Sequence, residues 1–361
     1  MHILILLKKA SKDKLMKIVA YLSILLFLIG CERSGSSSVV NEPYYYQQWS
    51  INYDADFYHS NSIEIDAHIH AGELLKSYRG SGIRIAVIDN GLDTNHEDFS
   101  GAIVETYDLE TGGRDVSHTF AEDTHGTSVT GVAVARINAK GIAGVASEAQ
   151  LIFLKFQPSM SDSEVIELFN KAEEFGADVI NCSWGSGDVS QSVRETIVDL
   201  ANNGRNGRGI SIVFASGNND ADMGNDESAI PEVISVGATD SENLRALYSD
   251  YGENLDIVAP GGYWLGITTL DNSGSNGVAT IDEDYILYDD SNGYTGTSMS
   301  APIVSGVIAL MLEKNPNLTR VEIENILKNS ADKIGEYSYE DGKNDYYGYG
   351  KVNLTKIMNS I

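Results

Sequence analysis

The segment Ile83-Arg-Ile-Ala-Val-Ile-Asp89 is a short apolar run, rich in β-branched residues, that ends in a carboxylate. Such a run is typical of a strand buried on both faces of a parallel sheet. Farther along the chain, helical patterns at residues 164–175, 193–203 and 320–329 alternate with other apolar runs. Because this alternation is typical of βαβ units, we predict a doubly wound, mostly parallel α/β sheet flanked by helices.

The length and composition are those of one large folded unit. The chain has 361 residues, 42% of them hydrophobic, which is enough for one large α/β core or two small ones. No linker rich in Pro, Gly or Ser divides residues 80–335, and no repeat with a period of 20–50 residues is visible. We therefore predict a single domain over residues 46–361.

Two further segments carry groups that can react together with Asp89, which lies at the carboxyl edge of the sheet where catalytic groups collect. His125 begins a small, mostly apolar stretch, and Ser298 lies in Gly-Thr-Ser-Met-Ser-Ala-Pro302. We predict His125 in the first turn of one helix. We predict that Ser298 opens an apolar helix over Ala301–Leu312, with Pro302 in its first turn.

Taken singly, these residues have ordinary explanations, since a Ser at a helix start is usually a cap and an Asp after a strand is usually a turn residue. Together they supply an acid, a base and a nucleophile in the chain order Asp, His, Ser, which is one of the orders that build a catalytic triad. In such a triad Asp89 orients and stabilises His125, and His125 takes the proton from Ser298 Oγ. The amino end of the Ser298 helix also favours developing negative charge.

These segments resemble the motifs of the subtilase family, the subtilisin-like serine proteases of peptidase family S8. The resemblance covers nearly all of the chain after its amino-terminal segment, from Gln47-Gln48-Trp49 to Tyr347-Gly-Tyr-Gly-Lys-Val-Asn353. The segment Gly80-Ser-Gly-Ile-Arg84 is similar to that of kexin- and furin-like members. The resemblance implies a subtilisin-like peptidase domain and a serine endopeptidase that forms an acyl-enzyme on Ser298.

The resemblance also implies roles for residues around the triad. Asn218, at the end of Ala-Ser-Gly-Asn, is similar to the residue that shares the oxyanion with the Ser298 N–H, although a lone Asn after Gly is ordinarily a turn residue. The residues implied to line the P1 pocket are Ser183, Trp184, Gly185, Ala215, Ser216 and Gly217, with residues 158–162 at more distal subsites. Asp188 and Asp226 are implied at the pocket floor, where they favour a basic P1 residue.

Substrate selectivity remains open at the level of sequence. Asn90 stands where kexin-like enzymes typically carry a second Asp, which weakens the case for basic selectivity. A selective processing enzyme and a general degrader are therefore both possible. A different class of function is a catalytically silent, peptide-binding surface lipoprotein, but the intact Asp89, His125, Asn218 and Ser298 argue against it.

Structural calcium is a further implication of the resemblance, and no organic cofactor is expected. One site uses the side chains of Asp98, Asn138 and Glu42 with the backbone carbonyls of Arg136, Lys140 and Ile142. A second cluster consists of Asp188, Asp222 or Asp226, and Asp250. Hard oxygen donors from spaced loops suit Ca²⁺ and not zinc, although each carboxylate alone is more often a solvated surface charge.

The amino terminus has the pattern of an export signal. Five Lys residues within positions 8–17 precede the apolar run Ile18–Ile29, which is typical of a signal peptide and too short for a spanning helix. Leu28-Ile-Gly-Cys31 resembles the bacterial lipoprotein box, in which the Cys becomes lipidated. We predict a lipoprotein signal peptide over residues 1–30 and a flexible tether over residues 31–45, hence a lipid-anchored protein of the bacterial cell envelope. The alternatives are an ordinary cleaved signal or an uncleaved anchor, and Met16 is a second possible start.

The charge of the chain indicates its partners only weakly. The whole sequence has 25 Lys and Arg against 52 Asp and Glu, and removing the five Lys and one Asp of residues 1–30 leaves −31. Such a field repels nucleic acid and draws cations and basic peptides. An acidic surface of this kind also keeps a protein soluble in an extracellular or saline setting. We expect peptide or protein substrates, no nucleic acid and a monomer.

Overall fold

The structure of this protein is a computed structural model. In it the strand Arg84–Asp89, called β1, lies inside a seven-stranded sheet. The structure describes residues 40–120, 123–157, 159–291 and 293–361. The predicted signal peptide and Cys31 lie outside the described residues.

The strands and helices follow the alternating pattern of the sequence. The strands are β1 (Arg84–Asp89), β2 (Ile103–Asp108), β3 (Gln150–Lys155), β4 (Val179–Cys182), β5 (Ser211–Ala215), β6 (Ile234–Thr239), β7 (Ile257–Pro260), β8 (Thr269–Leu270) and β9 (Tyr285–Ile286). The α-helices are α1 (Ala55–Asn61), α2 (His125–Val134), α3 (Asp162–Glu174), α4 (Gln191–Gly207), α5 (Thr297–Lys314), α6 (Arg320–Ser330) and α7 (Leu354–Asn359). Short 3₁₀ helices span Tyr45–Gln47, Gly72–Lys76, Glu97–Phe99, Glu227–Ala229 and Gly274–Asn276.

The seven strands of the main sheet pair in parallel in the order β2-β3-β1-β4-β5-β6-β7, while β8 and β9 form a separate antiparallel pair. Along β1, Ile85 and Val87 join the core that contains α2 and α5, whereas Ala86 and Ile88 join the core that contains α3 and α4. Successive side chains of a strand point to opposite faces, so a sheet covered on both sides needs an uninterrupted apolar run. The predicted doubly wound, parallel α/β fold is confirmed.

Helix α5 is the central helix of one layer, and it is buried along almost its whole length. A helix that is apolar on every side belongs inside a core. It begins at Thr297 and not at Ala301, so the prediction that Pro302 lies in the first turn is wrong: Pro302 lies in the second turn. The early start is possible because Asn218 Oδ1 accepts the Thr297 N–H at 2.9 Å and so satisfies one of the unpaired donors of the helix end.

The amino-terminal part of the described chain packs onto the sheet domain. Val40, Glu42 and Tyr45 are buried, and the Tyr44 N–H donates to the Gly141 carbonyl at 2.8 Å. The segment 31–45, predicted as a tether, therefore joins the domain from Val40 onward. Among the residues that the structure describes, no helix combines the length and the apolar character needed to span a bilayer.

Candidate active site

Asp89 and His125 meet where the carboxyl end of β1 faces the amino end of α2. His125 Nδ1 lies 2.9 Å from Asp89 Oδ1 and 3.1 Å from Oδ2, and Asp89 is 1% exposed. Burial by itself lowers the pKa of His125, but the charge and hydrogen bond of Asp89 outweigh it, so the pKa is raised above its usual value. The buried carboxylate thus stabilises the imidazolium form.

The approach of α2 to β1 depends on one glycine. A Cβ on Gly126 would lie 2.2 Å from the Gly91 carbonyl oxygen, a distance at which the helix could not stay in place. The Gly126 N–H donates to Asn90 Oδ1 at 3.1 Å. The sequence analysis considered Asn90 only for its effect on substrate selectivity. In the structure its side chain holds the backbone next to His125.

Ser298 lies in the first turn of α5 and is half-buried. Its Oγ donates to the Ser183 carbonyl at 3.1 Å, and Ser183 Oγ donates to the Ser298 carbonyl at 2.9 Å. The Ser298 carbonyl lacks a helical donor because Pro302, four residues later, has no N–H. The structure thus brings Asp89 and His125 into contact, whereas the Ser298 hydroxyl is bonded to Ser183. Hydrogen bonds between catalytic groups are often long or absent in free enzymes.

Asn218 follows β5 and lies next to the amino end of α5. Its Oδ1 accepts from the Thr297 N–H at 2.9 Å and from Thr297 Oγ1 at 3.0 Å. Because the backbone N–H can only donate, this network fixes which end of the amide faces Thr297. The Nδ2 group is therefore turned away from Thr297, and exposed Asn218 lines the same cavity as Ser298.

That cavity, here called the P1 pocket, has a volume of about 430 Å³ and lies past the carboxyl ends of β4 and β5. Its walls include all six neutral residues expected there, together with three carboxylates. The neutral residues are Ser183, Trp184, Gly185, Ala215, Ser216 and Gly217, and the carboxylates are Asp222, Asp226 and Asp250. Asp188 lies outside this wall. It is exposed, and its Oδ1 accepts from Asn225 Nδ2 at 2.6 Å, so the expectation of Asp188 at the pocket floor is not met.

The carboxylates of the P1 pocket are held by backbone donors. Asp226 accepts from the N–H groups of Gly187 at 2.7 Å and Ser228 at 3.0 Å. Asp250 Oδ1 accepts from the Asn219 and Ala221 N–H groups at 2.7 and 2.9 Å. A Cβ on Gly185 would come within 2.6 Å of Asp226 Oδ2, so this acid touches the pocket backbone directly.

Glu227 is a residue of this region that sequence reasoning missed. It is 2% exposed and accepts from the Ser186 N–H at 2.9 Å, immediately behind the pocket rim. Burial raises the pKa of this carboxyl group. Its only signal in the sequence was its position beside Asp226.

The comparisons with known proteins agree with this geometry. The model of the subtilase family matches residues 80–350. This chain belongs to the subtilase family. It is 36% identical over 326 residues to the calcium-dependent protease of a Nostoc species, covering 81% of this chain and 48% of that protein. It is 32% identical over 280 residues to Subtilisin Savinase of Lederbergia lenta, covering 76% of this chain and 90% of that protein.

Solved structures extend the likeness to the fold of this subtilase. A protease structure from Pseudoalteromonas arctica matches with a TM-score of 0.73 and 26% identity, over 90% of this chain and 99% of that one. The family prediction made from the motifs is thereby confirmed. The chain spans about half the length of the Nostoc relative.

The first calcium site expected in a subtilase is assembled from the predicted side chains. Glu42 Oε1 accepts from the N–H groups of Asn138 at 2.6 Å and Ala139 at 2.8 Å, and Asn138 Nδ2 donates to Asp98 Oδ1 at 2.8 Å. The other oxygens, Glu42 Oε2 and Asp98 Oδ2, are buried and have no hydrogen-bond partner among the residues that the structure describes. Burial raises the pKa of Glu42, and it raises that of Asp98 to about 7. Two adjacent buried carboxylates with unpaired oxygens fit a hard cation such as Ca²⁺.

The remaining expected ligands of this site come from the loop after α2. The Arg136 N–H donates to the Asp98 carbonyl at 2.8 Å, which holds the start of the loop beside Asp98. Ile142 is buried, and Lys140 extends outward to an ion pair with Glu97. The loop therefore passes beside both carboxylates, with its Arg136 N–H on the Asp98 backbone and its Asn138 and Ala139 N–H groups on Glu42.

The second calcium cluster is not assembled in the same way. Asp188 is bonded to Asn225, whereas Asp222, Asp226 and Asp250 line the P1 pocket. Within the described ranges, no group of three or more His, Cys, Asp or Glu side chains is arranged to hold a metal ion. These carboxylates are therefore better explained as part of the substrate cleft.

Proposed function

We propose that this subtilase is a serine endopeptidase that cleaves peptide bonds through an acyl-enzyme on Ser298 Oγ. The contact of His125 Nδ1 with Asp89 carries the proposal, because β1, which ends at Asp89, pairs with β4, and Ser183 just after β4 is bonded to Ser298. Because Nδ1 is bonded to Asp89, the other ring nitrogen of His125, Nε2, is left to accept the Ser298 proton as a general base. The raised pKa of His125 favours the imidazolium that forms in this step.

The tetrahedral intermediate needs donors at its oxyanion. Asn218 Nδ2 is turned away from Thr297, and the Ser298 N–H lies in the first turn of α5. Both can donate to an oxyanion formed on a substrate carbonyl at Ser298. His125 then gives its proton to the leaving amine, and water attacks the acyl-enzyme by the same route in reverse. The Ser298 hydroxyl must leave the Ser183 carbonyl before it can bond to His125.

The P1 pocket favours a basic P1 residue over an apolar one. Asp222, Asp226 and Asp250 all line it, with Glu227 behind its rim. Several carboxylates around one small cavity raise the free energy of the empty site, and an Arg or Lys side chain offsets that repulsion. A general degrader is the alternative, and this charge argues against it.

Calcium binding by Glu42, Asp98 and Asn138, with carbonyls of the loop after α2, belongs to the same proposal. The unpaired oxygens of both carboxylates support it, and a relative bears the name calcium-dependent protease. The bound ion supplies positive charge that compensates the two buried carboxylates.

Export and anchoring complete the proposal: a lipid on Cys31 holds the enzyme at a bacterial membrane. The support is the basic and apolar leader followed by Leu28-Ile-Gly-Cys31. Incorporation of an alkyne fatty acid into the wild-type protein and not into Cys31→Ala tests it. Equal labelling of the two would exclude lipidation at Cys31.

Labelling of the folded enzyme with a fluorophosphonate tests the catalytic part. The probe should react with one residue, Ser298, and Ser298→Ala should lose all labelling while keeping its melting temperature. Ser186→Ala, at the exposed rim of the same pocket, is the matched control and should label normally. Labelling that persists in Ser298→Ala would reject the assignment, and an unlabelled wild-type protein would favour a silent peptide-binding lipoprotein.

A further inference from the structure

A tyrosine ring packs against the imidazole of the proposed general base. The rings of Tyr294 and His125 form a T-shaped pair, with 6.1 Å between their centroids and 65° between their planes. Aromatic rings attract each other in this arrangement at centroid distances of about 4.5–7 Å. Tyr294 also lies four residues before Ser298, so the segment that leads into the nucleophile contacts the base as well.

His125 is held by Asp89 at one atom of its ring. Nδ1 lies at nearly equal distances from the two carboxylate oxygens, 2.9 Å from Oδ1 and 3.1 Å from Oδ2. The imidazole can therefore pivot about Nδ1 and still keep a bond to the carboxylate. The His125 side chain is 30% exposed, so its surroundings do not enclose it on every side. A further contact against the ring then limits the directions in which Nε2 can point.

Tyr294 is itself fixed at both ends. Its carbonyl accepts from the Ile267 N–H at 2.9 Å, as part of an antiparallel bridge between the two residues. At its other end the Tyr294 hydroxyl is hydrogen-bonded to the Thr124 hydroxyl. Ile267 and Thr124 are each 1% exposed, so both anchors belong to the packed interior. The ring cannot move away from His125 without breaking one of these bonds.

The bond to Tyr294 takes the place of a helix cap. Thr124 is the N-cap residue of α2, where a Thr side chain ordinarily accepts from a backbone N–H of the first turn. Here the Thr124 hydroxyl makes no capping bond within the described chain, and the Gly126 N–H is bonded to Asn90 instead. Departures from such local rules are expected at functional sites. The Thr124 side chain thus joins the start of α2 to the segment before Ser298.

We infer that Tyr294 is a positioning residue that holds the His125 imidazole in the direction of Ser298. Its ring limits the pivot of the imidazole about Nδ1. Its hydroxyl, through Thr124, ties that ring to the start of the helix that carries His125. The inference rests on the proposed endopeptidase function, in which Nε2 accepts the proton of Ser298 Oγ.

The first test removes the hydroxyl and then the ring. Tyr294→Phe should lower kcat about fivefold and Tyr294→Leu about thirtyfold, with KM within about twofold of wild type, because a misdirected base slows the chemical step. The substrate is a peptide p-nitroanilide, which has no residue after the scissile bond, so contacts of Tyr294 with a leaving peptide do not contribute. Titration with a fluorophosphonate normalises each rate to the enzyme with a reactive Ser298.

A double-mutant cycle tests the bond to Thr124. Thr124→Val has a similar shape and no hydroxyl, so its kcat should match that of Tyr294→Phe. The double variant should be no slower than either single variant, because both changes break the same bond. Thr124→Ser keeps a hydroxyl and should recover most of the rate.

Tyr339→Phe is the matched control for the loss of a phenol hydroxyl. Tyr339 is half-buried like Tyr294, and its hydroxyl donates to the Ile334 carbonyl at 3.1 Å, away from the P1 pocket. This variant loses a hydrogen bond of the same kind, so its melting temperature is measured beside that of Tyr294→Phe. Its kcat should stay at the wild-type value.

The pH profile separates positioning from a change in the charge of His125. Burial raises the pKa of Tyr294 above its usual value of about 10, so this hydroxyl stays neutral where His125 titrates. Tyr294→Phe should therefore lower the plateau of kcat/KM and leave the inflection, which Asp89 sets, in place.

Each other outcome has a definite meaning. A kcat within twofold of wild type in both Tyr294→Phe and Thr124→Val overturns the inference, and these two variants decide if Tyr294→Leu does not fold. So does a loss confined to KM, an additive double variant, or an inflection that moves. A wild-type protein that neither reacts with the fluorophosphonate nor hydrolyses any peptide substrate overturns the proposed function itself.

Discussion

Ser183 and Ser298 exchange two hydrogen bonds, with Ser183 Oγ donating to the Ser298 carbonyl at 2.9 Å and Ser298 Oγ donating to the Ser183 carbonyl at 3.1 Å. The first bond replaces the helical bond that Pro302 cannot make. The end of β4 therefore holds the backbone of the helix turn that carries the proposed nucleophile. The second bond sets the orientation of the nucleophile hydroxyl in the free enzyme.

Removal of the Ser183 hydroxyl should loosen the nucleophile. Ser183→Ala leaves the Ser298 carbonyl without a donor, so we expect kcat to fall about tenfold and the free energy of unfolding to fall by about 1–3 kcal/mol. Steady-state kinetics and urea unfolding measure both. Ser183→Thr, which keeps a hydroxyl, should recover much of the rate, and Ser186→Ala is the control at the pocket rim. An unchanged kcat in Ser183→Ala would show that the bond does not position Ser298.

Catalysis should depend on pH through His125. The ring must be neutral to accept a proton, so kcat/KM should fall as the pH drops through the pKa of His125, which the pairing with Asp89 raises above its usual value of about 6.5. Asp89→Asn removes the charge and should move the inflection to lower pH, with a rate loss of about 10⁴, as found for this substitution in another triad. A profile that is flat from pH 8 to pH 5 would contradict the role of His125.

Calcium should stabilise the native state. An ion held by Glu42, Asp98 and Asn138 binds only the folded chain, and at 100 times its Kd it adds about 2.7 kcal/mol. Excess EDTA should therefore lower the melting temperature, and added Ca²⁺ should restore it. Asp98→Asn should lose this response, whereas Asp188→Asn, which changes an exposed acid, should keep it. A wild-type melting temperature that EDTA does not change would remove the site.

The fold and the places of Asp89, His125 and Ser298 on their elements were predictable from local patterns in the sequence, whereas Asn218 was singled out only by the resemblance to the family. A strand buried on both faces must be apolar at every position, and Asp89 marks its end. His125 was correctly placed in the first turn of its helix. These features are fixed by residues that are neighbours along the chain.

The remaining features depend on loops that meet only in the folded protein. The start of α5 at Thr297 depends on a bond from Asn218, 79 residues away. Asp188 turns outward because Asn225 binds it, a contact between two separate loops. No sequence motif contains Asn272, which is distinguished only by a buried side-chain amide that has no hydrogen-bond partner among the described residues. Tertiary contacts of this kind override local propensity, so no pattern in the sequence indicates them.

Acid should destabilise the protein through His68. Burial, then the nearby His70 and Lys351, lower the pKa of His68 from 6.5 to about 3. Between these values the unfolded chain binds a proton that the native state does not, so stability is lost as the pH falls from about 6.5 toward 3. His68→Asn, which keeps an acceptor for the His70 N–H, should reduce the fall in melting temperature across this range. His59→Asn is the exposed control, and an equal acid response in His68→Asn and wild type would exclude His68 as a cause.

The acidic wall of the P1 pocket should select Arg or Lys. Asp226 touches the pocket backbone at Gly185, so a cationic P1 side chain reaches its charge in a site partly shielded from water. Asp226→Asn removes the charge and keeps one acceptor oxygen for the Ser228 N–H, at the cost of the bond from the Gly187 N–H, so its melting temperature is measured beside the kinetics. Because truncating one partner of a shielded charge pair costs about 2 kcal/mol or more, kcat/KM for an Arg peptide should fall at least about tenfold.

The rate for a matched Leu peptide should stay within threefold, and Asp188→Asn, outside the wall, should leave both unchanged. A wild-type enzyme that prefers Leu or Phe to Arg, with the same preference in Asp226→Asn, would show that these carboxylates do not read the P1 residue and that the subtilase is a general degrader.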